Sequence, residues 1–326
     1  FEALSDHDAR MILTFLVAQL LAVFQCNLMN AGFRSNGEYA LGVAYTVAIR
    51  FVEFLAAAFA VILGAGPVAV AIIYALVRAS GFVTMKAALA RRATWLKIGW
   101  SECRASTLRR LARPALAFMA IPSSNALRIQ GMVILVGYFL GASYVTIFSV
   151  VRTLVNVIVQ FVQMINRTVW PEITVAFSRG DHALARELHH RACSVAIWGA
   201  GIGTIVVALF GQRLITAWTQ GNVDVGRPLL YTMLLTVVLN ALWSTSSVVH
   251  KAVNRPQGLA VATLLMSIVA IICATALVKC CLLVGVALSL VVFELGMSAY
   301  VVAQSARMFG EPKRLLLTEI FSSVPT

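Results

Sequence analysis

Charge is scarce in this chain, and negative charge is scarcest. Only 12% of its 326 residues are charged, and 13 are Asp or Glu against 26 Lys or Arg. Just two acids, Glu53 and Glu294, lie well inside long apolar runs. That shortage argues against a carboxylate-rich catalytic centre or cation cage. Cysteine is nearly as rare. Cys26, Cys193 and Cys273 lie in or beside apolar runs, Cys103 lies in a basic connection, and Cys280 and Cys281 are adjacent. Adjacent cysteines rarely bridge without strain, so no disulfide framework is expected. His189, His190 and Cys193 have no second ligand pair nearby in sequence, so no metal site and no cofactor are expected. Strand alternation with a period of two is missing, which argues against barrel strands.

Hydrophobic residues make up 60% of the chain, and mean hydropathy is +0.87. Nine apolar runs lie near 10–32, 40–62, 67–88, 113–138, 142–170, 190–210, 227–249, 258–279 and 283–306. Each is about 20 residues or longer, enough for a helix to cross a hydrocarbon core of about 30 Å. A soluble core buries one or two such segments, not nine in succession. The expected fold is all-α: a polytopic membrane helix bundle with nine transmembrane helices.

A net charge of +13 would suggest nucleic acid in a soluble protein. Here the placement gives another reason. Eighteen Lys and Arg fall in alternate connections and the C-terminal tail, and only Arg10, Arg213, Arg227 and Lys279 fall on the opposite side. This bias predicts that the basic connections and the C-terminus are cytoplasmic. No nucleic-acid partner is expected. The remaining four, Arg50, Arg78, Arg128 and Arg152, fall inside the spans.

The chain divides into residues 1–88 with three spans, a basic linker at 89–112, six spans over 113–306, and a tail at 307–326. A shift of 218 residues lays the first three spans on the last three. Six spans would make a complete lobe, so the expectation is a two-lobed 3 + 6 plan whose N-terminal lobe lacks its three opening helices. Parallel repeats of this kind build transporters.

Polar residues inside the spans fall on single helix faces. In 142–170, Ser149, Arg152, Asn156, Gln160, Gln163 and Arg167 recur at steps of three and four. In 227–249, Thr232, Thr236, Asn240, Ser244, Ser247 and Lys251 do the same, and 10–32 carries Gln19, Asn27, Asn30 and Arg34. Lipid does not tolerate such a stripe. Interhelical hydrogen bonds are one use for it; a hydrated central cavity is the reading three stripes favour.

Arg128 and Arg152 each stand about 12 residues from the turn near 140, so both are expected near mid-membrane, with no acid within a helical turn. Arg50 has Glu53 at i+3 for an internal ion pair. Arg78 lies where it can snorkel. The intramembrane excess is therefore read as cationic and suited to anions such as phosphate. Pro122 breaks the backbone ladder inside 113–138 and is a candidate bending gate. Gly199 and Gly203 form a G-x-x-x-G pair suited to close helix packing.

Several motifs carry a resemblance. Residues 134–141 read ILVGYFLG, followed by Tyr144 and by FSVVRTL containing Arg152. Val169-Trp170-Pro171 closes the long helix, and AFSRGDHALARE supplies a Gly180-Asp181 turn. The chain thereby resembles the polysaccharide or O-antigen flippases (Wzx-like) of the multidrug/oligosaccharidyl-lipid/polysaccharide exporter superfamily. Many members carry an acid in the helix that here reads NALRIQG. The resemblance implies a V-shaped pair of bundles that alternate between inward- and outward-open states in the bacterial inner membrane. It implies a lipid-linked anionic oligosaccharide as cargo, flipped from the cytoplasmic to the outer leaflet, with membrane lipid, the polysaccharide polymerase and the chain-length machinery as partners. Arg128 and Arg152 would then contact the pyrophosphate or acidic sugars, with Arg50 and Arg78 also on the path. Asn156, Gln160, Gln163, Asn240 and Ser244 would hydrogen-bond the glycan.

Three other functions remain open on sequence. A multidrug antiporter of the same superfamily would want cavity acids, and a lipid-II-type flippase differs only in cargo. A membrane polymerase or glycosyltransferase would need a catalytic loop, and no nucleophile–base pair or phosphate-cradling loop is present, so no enzyme is expected.

Overall fold

The computed structural model describes residues 5–96, 99 and 104–310, apart from the side chains of residues 113 and 114. Lys97, Cys103, Lys313 and Arg314, and with them most of the expected tail, lie outside the described residues. All elements among the described residues are helical, and no strand is present. By backbone proximity the chain forms two compact units, Phe1–Cys103 and Arg104–Thr326.

The first unit holds α1 (Asp6–Ser35), α2 (Tyr39–Ile62) and α3 (Pro67–Arg92), each packed on the other two. Ser5 caps α1, its hydroxyl accepting from the Asp8 amide at 3.1 Å. Proline begins α3, where a missing N–H costs nothing. Cys26, Met29, Phe33, Ile49, Met85 and Leu89 form a small apolar core. Most other large apolar side chains point outward, as lipid-facing helices require.

The second unit holds α4 (Ala105–Leu140), α5 (Ala142–Ser178), α6 (His182–Trp218), α7 (Arg227–Ser246), the short α8 (Val248–Ala252) and α9 (Gln257–Phe309). α4 packs on α5 and α9, α5 on α6 and α7, α6 on α7, and α7 on α9, which closes a ring. Gly141 joins α4 directly to α5 at φ +94°, a conformation L-residues rarely adopt. The glycine pair on α6 faces α5: a Cβ at Gly199 would meet Phe161, and one at Gly203 would meet Ile158.

Among the described residues, eight helices are long and apolar enough to cross a membrane. The last is two: α9 leaves helical geometry at Leu282 (φ 50°, ψ −133°) and turns back. Its arms run antiparallel, with Met266 against Gly296 and the Tyr300 hydroxyl against Gly258. The described residues thus make nine passes. The helix plan also carries the 218-residue shift. Moved by that amount, α2 and α3 become 257–280 and 285–310, close to the two arms of α9.

Two boundaries differ from expectation. Trp170-Pro171 does not close the long helix; α5 continues through Pro171 to Ser178. The proline removes one backbone bond, and beyond it Ile173 and Ala176 are buried, Ile173 in a cluster with Val248 and Ala252. That packing outweighs one lost bond. The basic linker is also shorter than expected, because α3 runs to Arg92 and α4 begins at Ala105. Arg109 and Arg110 therefore ride on a helix. α4 remains helical through Pro122, which is exposed.

Candidate functional site

The second unit has a charged knot in its interior. Arg128 of α4 reaches Glu294 of α9, Nη1 to Oε1 at 3.9 Å, with side chains only 13% and 5% exposed. The other carboxylate oxygen accepts from the Asn240 amide at 3.2 Å and from the Trp243 indole N–H, both on α7. The Arg128 guanidinium lies 4.1 Å from the centroid of the Phe293 ring, and its Nη2 approaches the Asn125 Oδ1 at 3.4 Å. Three helices are thereby tied through one carboxylate. Such a group remains ionised in a low dielectric only with a counter-charge and donors around it. Arg128 Nε and Asn240 Oδ1 are buried without partners. Arg128 is thus not an unpaired cation: its acid lies far along the chain and is brought to it by packing.

The polar stripe of α5 is placed differently. Val151, Val155, Ile158 and Val162 on the opposite face are buried in the core of the unit. Asn156, Gln160 and Arg167 are exposed, and Ser149, Arg152 and Gln163 are half-buried. Asn156, Gln160 and Gln163 make no side-chain hydrogen bond among the described residues. Arg152 pairs with no acid there; its guanidinium stands 5.9 Å from the Phe148 ring and its Nη1 is shielded without a partner. The stripe leaves the packed interior of its own unit, and its donors and acceptors remain available.

Asn240 and Ser244 are committed elsewhere. Asn240 serves Glu294, and buried Ser244 receives the Asn166 amide at 3.5 Å. Thr236 and Ser247 satisfy carbonyls of their own helix, those of Met233 and Ser244. The α7 stripe is mostly an internal bonding device, unlike that of α5.

In the first unit, Glu53 is the partner of Arg78, not of Arg50. Arg78 Nε donates to Glu53 Oε1 at 2.7 Å, and Nη2 binds the other oxygen, a fork on a carboxylate. Both side chains are buried, so Arg78 does not snorkel. Arg50 stands exposed on α2. The i+3 spacing sets Arg50 and Glu53 on neighbouring positions, yet Glu53 belongs to the buried face with Ile49 and Ala57, which meets α3.

His189, His190 and His250 form a buried group near the basic end of the second unit, with His189 Nε2 and Ser246 Oγ 3.1 Å apart. Ser246 in turn donates to Ser305 at 3.0 Å. Among the described residues no three His, Cys, Asp or Glu form a group able to hold a metal ion. The sequence signals for the charged knot were present but mute. Glu294 is the lone acid of its span, and Asn240 and Trp243 share a face at i, i+3.

No family model matches the sequence, and no curated protein matches it. Solved structures do. The chain superposes on a MATE structure in the bent conformation with a TM-score of 0.79 and 14% identity, covering 94% of this chain and 70% of that one. The structure of a MATE point mutant gives 0.76 and 14%, covering 92% and 69%. A point mutant of the Vibrio cholerae MATE transporter VcmN gives 0.70 and 15%, covering 93% and 70%. The fold is that of the MATE structures.

Proposed function

We propose that this chain belongs to a transporter of the multidrug/oligosaccharidyl-lipid/polysaccharide exporter superfamily that flips a lipid-linked anionic oligosaccharide. The observation that carries the reading is the α5 stripe. Arg152 lies well inside an apolar span with no counter-ion among the described residues, in line with Asn156, Gln160 and Gln163, whose polar groups are unused. An arginine at a helix centre costs about 2.5–3.5 kcal/mol on insertion scales. A site that needs a negative, hydroxyl-rich ligand accounts for that expense. Arginine's flat fork suits phosphate, and amide side chains suit sugar hydroxyls. Arg128 stands on α4, across the Gly141 turn, but is neutralised by Glu294. We therefore assign Arg152 the first contact with the cargo and Arg128 a supporting place.

The charge bias of the connections favours a C-terminus inside, and the resemblance to the flippases puts the protein in a bacterial cytoplasmic membrane with transport from the inner to the outer leaflet. A polymerase and chain-length machinery would receive the product. A second reading, multidrug export in the manner of an antiporter, draws on one feature: a buried acid, Glu294, within the membrane-spanning part of the second unit. Under that reading the half-buried cation of Arg152 has no task.

Arg152→Ala, Arg152→Lys and Asn156→Ala/Gln160→Ala separate the two. In a strain lacking the native gene, Arg152→Ala is expected to lower surface polysaccharide roughly tenfold or more, the loss of one charged hydrogen-bonding group. The lipid-linked intermediate should accumulate on the cytoplasmic face, and Arg152→Lys should restore part of the activity. Normal surface polysaccharide from well-expressed Arg152→Ala would overturn the proposal. Drug resistance lost on Glu294→Gln and untouched by Arg152→Ala would favour the second reading.

A further inference from the structure

The two arms of α9 do not close on each other evenly. Tyr300 fills the space beside Gly258 and Met266 the space beside Gly296, and alongside these contacts a groove of about 500 Å³ remains. Gln257 stands at one end, and Val261, Leu265, Met266 and the Tyr300 ring form the walls. Val261 and Leu265 are exposed, so the groove opens to the outside of the unit, within a surface built for lipid. From Gln257 to Met266 it runs about 14 Å along the helix at about 1.5 Å per residue. Its volume lies in the range of about 300–1,000 Å³ typical of small-ligand sites.

The end near Gln257 has a different chemistry. Arg255 lies two residues before Gln257, in the turn that starts α9. Gln304 and Arg307 follow Tyr300 on the same helical face. Arg255 and Arg307 are exposed, and neither pairs with an acid among the described residues. Of these groups only Gln257 lines the groove; by chain position and helical register Arg255, Gln304 and Arg307 lie beyond it, toward the basic end of the bundle. Basic mouths of grooves between membrane helices attract anionic lipid head groups.

We propose that this groove binds an anionic diacyl phospholipid, with one acyl chain along Val261, Leu265 and Met266 and the phosphate between Arg255 and Arg307. The apolar length requires a chain, and the arginines require a negative head. Free phosphate would leave the walls unused. The site is independent of the cargo proposed above, because it lies between the arms of α9 and shares no residue with the α5 stripe.

The test uses the purified chain in detergent, with phosphatidylglycerol and phosphatidylcholine of identical acyl chains as probes and retention read by native mass spectrometry. Two arginines near the membrane surface predict a preference for phosphatidylglycerol of roughly tenfold or more. Arg255→Ala/Arg307→Ala should abolish the preference while weak retention of both lipids persists. Val261→Ser/Leu265→Ser, at exposed positions that leave the core untouched, should lower retention of both. Equal retention of the two lipids by the native chain would overturn the proposal, as would a preference that survives the arginine variant. Glycerol phosphate competing as well as the whole lipid would reduce the site to surface charge and reject the groove. Displacement by polyprenyl phosphate at lower concentration than by phosphatidylglycerol would reassign it to an isoprenoid and also reject the diacyl assignment.

Discussion

Glu294→Ala is expected to destabilise the second unit by about 3–5 kcal/mol, the cost of stranding one member of a buried ion pair. Two donors lose their acceptor, the Asn240 amide and the Trp243 indole N–H, and the Arg128 guanidinium loses its counter-charge. Arg128 is the costly one, because a cation with a side chain only 13% exposed has little access to solvent. For a unit of this size, about 2–4 °C of melting temperature corresponds to 1 kcal/mol, so a drop of roughly 6 °C or more is expected in detergent. Glu294→Gln should fall between, since a neutral amide oxygen still accepts from α7 but no longer offsets the charge. Arg128→Met/Glu294→Met should recover much of the loss, because apolar replacement of a buried pair is often close to neutral. A double variant less stable than either single would show that the pair is not coupled as its geometry implies.

The second large effect is expected in the first unit. Glu53→Ala or Arg78→Ala should each cost about 3–5 kcal/mol by the same physics, while Arg50→Ala should leave stability within about 0.5 kcal/mol. The two arginines thus separate the observed interhelical fork from the alternative i+3 pair on α2. Exchanging the charges, Glu53→Arg/Arg78→Glu, should regain part of the loss, because both positions are buried and face one another. Equal sensitivity at Arg50 and Arg78, read by thermal unfolding, would place Glu53 between them and contradict the fork. Stability is the right observable here, because Arg78 is closed off by its partner and Arg50 is not.

Both effects turn on pairings that local spacing mispredicts. On α2 the i+3 neighbour of Glu53 is Arg50, and the pair looks sufficient along one helix. Burial changes the outcome. Glu53 belongs to the face that meets α3, where a charge needs a close partner, and Arg50 belongs to the exposed face, where it does not. Arg128 shows the same thing over a longer distance. Its acid stands more than 160 residues on, and no periodicity links them. The α5 and α7 stripes look alike as sequence, yet Thr236, Ser244 and Ser247 are spent inside the bundle while Asn156 and Gln160 face outward. A stripe reports that one helix face avoids lipid; it does not report whether protein or a ligand covers it.

By itself the sequence determined the solvent, the helices and their order. Long apolar runs can satisfy their backbone in lipid only as helices, and that constraint is local, so length and composition suffice. It also determined that several helices carry polar faces, since 3.6-residue periodicity is a property of one segment. Only the tertiary structure decided which scarce acid answers which arginine, that Pro171 sits within a helix, and that α9 folds on itself with a groove between its arms. Those outcomes depend on which faces meet. Facing is set by the joint packing of several helices, where the cost of an unpaired buried charge exceeds any local preference.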